Sequence, residues 1–264
     1  MHDAIVSPVR GRRSPRLGPV AVVAATPGDL KAVCRRVLPA DGRRQHALYI
    51  SRLYAPVASH AGVAVAGPVV GAPYAAMIAE TLVAWGVRKI IFFGWCGAIS
   101  PQLAIGDVVV PAAAVIDEGT SRHYRPVGAM YTENRHFPDV PEISTPSRPM
   151  ADALMQAAAR RNCPVATGRI WSTDGIYRET PDKVLHYRKM GCLAVEMELS
   201  ALFSVAAFRR VELAGVLVVS DNLSALSWQP GFRQPEFKRG RKAAAEIAAG
   251  LAQCLAEGRE EACP

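Results

Sequence analysis

Apolar positions along this chain alternate between two patterns. Short β-branched or continuous apolar runs, at Pro19 to Ala25, Gly62 to Ala66, Lys89 to Phe93, Gly106 to Pro111, Ala114 to Ile116, Gly168 to Trp171 and Leu213 to Val219, predict buried strands. Between them, Leu30, Val33, Val37 and Leu38 recur at helical spacing, and Tyr74 to Trp85, closed by Gly86, reads as a helix of small residues. Met150 to Ala159, Leu199 to Phe208 and Phe237 to Leu255 predict further helices, and Thr180-Pro181-Asp182 opens another with proline in its first turn. Pro27-Gly28-Asp29 and Gly94-Trp95-Cys96-Gly97 read as turns that follow strands. This order predicts an α/β fold: a single three-layer domain with a central mixed β-sheet flanked by helices. No interior linker divides residues 19–264, and residues 1–18 read as a basic arm carrying Arg10, Arg12, Arg13 and Arg16 and two Ser-Pro pairs.

Composition narrows the function classes. With 264 residues, half of them apolar and 20% charged, the chain is long enough for a continuous core and has the balance of a globular protein. The longest uncharged run, Tyr54 to Ala79, is broken by Pro56, Gly62, Gly67, Pro68, Gly71 and Pro73, so no membrane span is expected. The N-terminus lacks the apolar core of a secretory signal, which predicts a cytoplasmic location. Six cysteines show no CxxC pair and no histidine at zinc spacing, so reduced thiols are expected, with neither a metal nor a disulfide framework. The formal charge of +8 is scattered over the arm, Arg43-Arg44, Arg160-Arg161 and Lys238 to Lys242. Scattered charge suits solvated surface and a small anionic ligand better than nucleic acid.

Two acidic segments carry the candidate chemistry. Glu196-Met197-Glu198 precedes a helix, and Ser220-Asp221 lies at the carboxyl end of the apolar run Leu213 to Val219, where ligand sites of α/β folds gather. Two acids separated by one residue point the same way on a strand and about 200° apart on a helix, so they share a ligand only where the backbone is extended or irregular. Glu196 and Glu198 also suit a helix start, where carboxylates complement the dipole, and both readings stand. Apolar flanks require a partner for at least one of these acids, and a vicinal diol is a good one, with the Met197 thioether against a sugar ring. Asp221 reads either as a turn residue or as a general acid raised by its apolar surroundings. Backbone N–H groups at Gly28 and at Cys96-Gly97 are candidates for an anion site, and Cys96 reads as an inert thiol.

The ordered set PGD at Pro27 to Asp29, GAP at Gly71 to Pro73, GWCGAISPQLAIGDVVVP at Gly94 to Pro111, DEGTSRHY at Asp117 to Tyr124, STDGIY at Ser172 to Tyr177, AVEMELSALF at Ala194 to Phe203 and VVSD at Val218 to Asp221 resembles the nucleoside phosphorylase family, which includes purine nucleoside phosphorylases, uridine phosphorylases and related nucleosidases. The resemblance implies that Glu198 binds the ribose hydroxyls, Met197 lines the sugar and Glu196 supports it. It places Ile176, Tyr177 and Ser220 at the base and makes Asp221 the acid that protonates the leaving purine. It implies inorganic phosphate as co-substrate, no cofactor and a homo-oligomer. One departure concerns the anion: Phe92 stands where phosphorylases usually carry an arginine, which leaves Lys31 with Gly28, Cys96 and Gly97 as weak phosphate ligands. Water as nucleophile, activated by an acid such as Asp29, is the alternative, and a binding protein without turnover is a third reading.

Overall fold

The structure, a computed structural model, describes residues 4–12, 14–57, 62–124 and 142–259. Arg13 of the arm and Cys263 lie outside the described residues. In chain order the elements are β1 (Val20–Ala24), α1 (Pro27–Val37), β2 (Arg43–Leu48), β3 (Ser51–Pro56), β4 (Ala64–Gly67), α2 (Ala72–Ala84), β5 (Lys89–Ala98), β6 (Val108–Asp117), β7 (Ile143–Ser144), α3 (Arg148–Ala159), β8 (Val165–Thr173), α4 (Pro181–Lys189), β9 (Cys192–Glu196), α5 (Leu199–Arg209), β10 (Glu212–Asn222), β11 (Gln229–Pro230) and α6 (Pro235–Ala256).

The strands form one mixed sheet in the order β11-β10-β6-β8-β9-β5-β1-β4-β3-β2, and a further pairing of β10 with β5 closes β5, β9, β8, β6 and β10 into a ring. β5 is the hub. It pairs in parallel with β1 and β10 and antiparallel with β9, so its edges are paired, and with a hydrophobic cluster on each face its sequence reads as an apolar run. Successive side chains alternate between faces: Phe92 enters the core packed by α2 and α5, and Phe93 the core packed by α1, α3 and α6. α4 closes a third cluster, in which Trp171 stacks on Tyr187 at 4.3 Å between ring centroids. The three-layer architecture predicted from the alternation is thus present, with the sheet partly rolled up.

Three local expectations need correction. Gly94 to Gly97 is no turn but the continuation of β5, paired through Leu217↔Gly94, Val218↔Trp95, Val219↔Cys96 and Asp221↔Gly97. Glycine reads as a breaker locally, yet here it permits close approach: a Cβ on Gly94 would strike the Phe92 ring, and one on Gly97 would meet Leu223 and sit 3.1 Å from Asp221 Oδ2. Pro27-Gly28-Asp29 is the first turn of α1, because the Thr26 side chain caps the Asp29 N–H at 3.2 Å and Pro27 needs no donor there. The hairpin of β2 and β3 escapes hydropathy reading, since Arg43, Arg44, Gln45 and His46 fill a strand at the sheet margin. Cysteines 34, 96, 163 and 192 are free thiols, whereas Cys254 is disulfide-bonded, contrary to the expectation of thiols throughout. Pairing depends on which cysteines the fold brings together, and sequence spacing does not report it.

The α6 helix crosses the loop before β6 at Gly240, where an added Cβ would overlap the Gly106 carbonyl. Backbone cannot retreat as a flexible side chain can. Gly240→Ala is therefore expected to destabilise the protein by about 1–3 kcal/mol despite the better helix propensity of alanine. An unchanged urea midpoint would show that α6 shifts freely.

Candidate active site

The two acidic segments converge because of the β5 hub. Gly97 pairs with Val195 of β9 on one side and with Asp221 of β10 on the other. Adjacent strands lie about 4.8 Å apart, so the ends of β9 and β10 stand on the order of 10 Å apart across β5, and the region between them is the candidate cleft. Between them the buried Cys96 thiol is pushed well up by burial and by the charges of Asp221, Glu196 and Asp107, the signature of an inert cysteine. Cys96 and Gly97 are both buried within β5.

Glu196 is the last residue of β9, and the chain then turns irregularly before α5 begins at Leu199. Its Oε2 accepts the N–H groups of Glu198 at 2.7 Å and Leu199 at 2.8 Å, and its Oε1 accepts the Ser172 hydroxyl. Glu196 is thus the cap of α5, although Glu198 occupies the N-cap position, with φ −131° and ψ −38°. Ser172 in turn accepts the Ser200 N–H at 3.0 Å, and the Ser200 hydroxyl donates to Glu118 at 3.0 Å. Glu118 completes the network by accepting the N–H groups of Thr120 and Ser121.

Glu198 is held differently. It is 7% exposed, and its Oε1 accepts the Gly71 N–H at 2.6 Å, which holds the carboxyl against the start of α2. Met197 beside it is half-buried. Burial and then the Glu196 charge push Glu198 up to about 8. Glu196 is raised by burial to about 7, opposed by its three donors. The irregular backbone required for the pair to serve one site is present, and the two acids differ in their partners: Glu196 orients the turn, whereas Glu198 is buried against the start of α2.

At the other strand end Ser220 is buried, and its hydroxyl donates to Asp221 Oδ1 at 2.6 Å and approaches the Cys96 carbonyl at 3.2 Å. Asp221 itself is half-buried and not enclosed as its apolar strand suggested, because β11 folds back only at its edge, through Asp221↔Pro230. Its Oδ2 accepts the Trp228 indole N–H at 3.0 Å. Ile176 and Tyr177 follow β8 in a short 3-10 turn, 52% and 96% exposed. Two residues on, the half-buried Glu179 is raised to about 7 by burial and by the Asp221 charge, against Lys183.

The anion side differs most from expectation. Phe92 is fully buried beneath α2 and α5, so the cleft has no cation there. Lys31 is exposed on α1. Instead Arg241 reaches over from α6: its guanidinium lies where a Cβ on Gly28 would be, 5.2 Å from the Trp95 ring centroid, and its Nε donates to Asp29 at 2.5 Å. Asp29 is fully buried and also accepts the Thr26 hydroxyl at 2.6 Å, so both of its oxygens are engaged. The Trp95 indole N–H is buried without a protein partner. Arg241, Trp228 and Glu179 were missed from sequence because they carry no local motif; Gly71 and Ser172 lay within motifs but with no assigned role.

The family model of the phosphorylase superfamily matches residues 19–256. The chain belongs to that superfamily. Among curated relatives, a DeoD-type purine nucleoside phosphorylase of Myxococcus xanthus is 32% identical over 188 residues, 70% of this chain and 74% of the relative. A guanosine phosphorylase of Halorubrum lacusprofundi is 30% identical over 156 residues, and the match spans 59% of each chain. The fold is shared with the purine nucleoside phosphorylase of Toxoplasma gondii (TM-score 0.76, 22% identity, 98% of this chain and 99% of that one). It is also shared with the uridine phosphorylase of Vibrio fischeri (TM-score 0.72, 21% identity, 91% and 93%). Superfamily membership accords with the sheet, and the match begins just after the basic arm.

Because folding raises Glu198, the folded protein holds a proton that the unfolded chain releases near pH 4.5. Its contribution therefore favours folding most below that value and is lost as pH rises toward 8. Glu198→Gln should flatten this decline, so that the variant gains at least about 1 kcal/mol relative to the parent between pH 5 and pH 8. Parallel pH profiles of urea stability would refute the assignment. Gly97→Ala, which presses on Asp221, should reduce activity while leaving the far side of the cleft intact, a separation readable as a lowered kcat with an unchanged KM.

Proposed function

We propose that this protein cleaves the N-glycosidic bond of a purine nucleoside with inorganic phosphate, releasing the free base and ribose 1-phosphate. The observation that carries this reading is Glu198, a buried carboxyl held by the Gly71 N–H and positioned by a neighbouring acid that itself accepts three hydrogen bonds. In its ionised form, a group so placed accepts the paired hydroxyls of a ribose ring, with Met197 against the sugar face. Asp221 stands at the opposite end of the cleft, where the base leaves, with Ser220 fixing its carboxyl and Ile176 and Tyr177 flanking. Proton delivery to the base lowers the cost of departure as positive charge develops on the sugar. The names of the two curated relatives described above favour a purine.

Phosphate is favoured over water by the state of Asp29. An acid whose two oxygens are taken by Arg241 and Thr26 is not free to activate water. The first turn of α1, with Gly28 and the Arg241 guanidinium, supplies the positive potential that Phe92 does not, and Lys31 adds to it from one turn further on. No resident cofactor has a part in this scheme. The basic arm of residues 1–18 and the strand Arg43–Leu48 are surfaces for a second subunit in a homo-oligomer, and a cytoplasmic site of action suits nucleoside and phosphate as partners. Among the described residues no helix is long and apolar enough to cross a membrane.

The decisive measurement is incubation with a panel of purine and pyrimidine nucleosides, with and without phosphate. Base release that requires phosphate and yields a pentose 1-phosphate is expected. Free ribose formed in its absence would establish hydrolysis instead. Asp221→Asn is expected to lower kcat at least about a hundredfold, since general acid catalysis contributes about 10²–10⁴.

A further inference from the structure

The segment between β10 and β11 carries chemistry that the sequence pattern did not reveal. It is pinned at both ends: Leu223 N–H donates to the Ala98 carbonyl at 2.8 Å, and Gly231 N–H to the Ser220 carbonyl at 2.8 Å. Gly231 has no room for a side chain, since a Cβ there would press on Ile105 and on the Ser220 carbonyl. Trp228, two residues before Pro230, is thereby returned to Asp221, to whose Oδ2 its indole N–H donates at 3.0 Å. The rest of the side chain stays uncovered: Trp228 is 64% exposed. Its ring is tilted 57° to Phe232 at 6.3 Å, and Phe232, itself 42% exposed, continues to Trp95 at 6.0 Å and Phe237 at 6.2 Å. An aromatic wall therefore runs from Asp221 to the Trp95 ring that lies beside Arg241.

We infer that Trp228 is a positioning and specificity residue: its indole N–H sets the orientation of the Asp221 carboxyl, and its exposed face receives the leaving heteroaromatic base. The inference rests on the N-glycosidic reading above and identifies what that reading left open at the base end. Ile176 is aliphatic, and Tyr177 is almost wholly in solvent, so neither supplies an ordered aromatic surface. Trp228 does, and its N–H is already engaged by the acid, which keeps the ring from rotating away. Stacking on such a face tolerates many bases but favours the larger purine. The hydrogen bond and the ring face are separable functions, which makes each testable.

Trp228→Phe keeps an aromatic face and removes the N–H; Trp228→Ala removes both. The exposed position makes both variants compatible with folding, which circular dichroism and the urea midpoint verify. With guanosine or inosine and phosphate as probes, Trp228→Phe should lower kcat about tenfold with KM for the nucleoside unchanged. Trp228→Ala should show the same loss and in addition raise that KM about tenfold. A merely structural residue would not separate kcat from KM in this way. Wild-type kcat in Trp228→Phe, or an unchanged KM in Trp228→Ala, overturns the inference. Asp221→Asn is the companion control. If it too keeps full turnover, the N-glycosidic reading with Asp221 as acid fails; if it is inactive while both Trp228 variants are normal, only the role of Trp228 fails.

Discussion

The site depends on a buried carboxyl whose hydrogen bonds go to its own turn and to Ser172. Glu196 accepts three hydrogen bonds, two from the first N–H groups of α5 and one from Ser172. A buried acid without donors is costly, and one with three stabilises the turn it sits in. Through Ser172, Ser200 and Glu118 that stabilisation reaches β8, the start of α5 and the end of β6. The turn is therefore rigid, and the next acid, Glu198, is presented by a fixed backbone.

The opposite end of the cleft is built by strand geometry more than by polar contacts. β5 runs on through two glycines where a turn was expected, and β9 and β10 pair on its two sides. Gly97 is small enough for Asp221 to lie close above it. The closure of five strands into a ring thus sets the separation of Glu198 and Asp221.

The first turn of α1 is tied to a distant part of the chain. Phe92 belongs to the hydrophobic core, and the cation paired with Asp29 in the first turn of α1 comes from α6, 212 residues further along the chain. Arg241 is held by an ion pair, by Trp95 and by the space above Gly28. A planar guanidinium suits this stacked position in a way that lysine would not.

Much was legible in the sequence itself. Hydrophobic periodicity located most elements because burial imposes it locally, and the ordered motifs placed Glu196, Glu198 and Asp221 at the ends of elements. Hydropathy did not reveal the hairpin of β2 and β3, because β2 at the sheet margin is filled by Arg43, Arg44, Gln45 and His46 and only one face of β3 is buried. Nor did it show that Gly94 to Gly97 is strand, because glycine is a breaker unless close neighbours require it. The division of labour between Glu196 and Glu198, the pairing of Arg241 with Asp29 and the contact of Trp228 with Asp221 were decided only by tertiary structure. Those contacts join residues distant in sequence or set by a single backbone turn, and their geometry follows from packing that no local pattern encodes. By itself the sequence determined which chemical groups the protein has and which elements carry them; the fold decided which of those groups are spent on structure and which remain for a ligand.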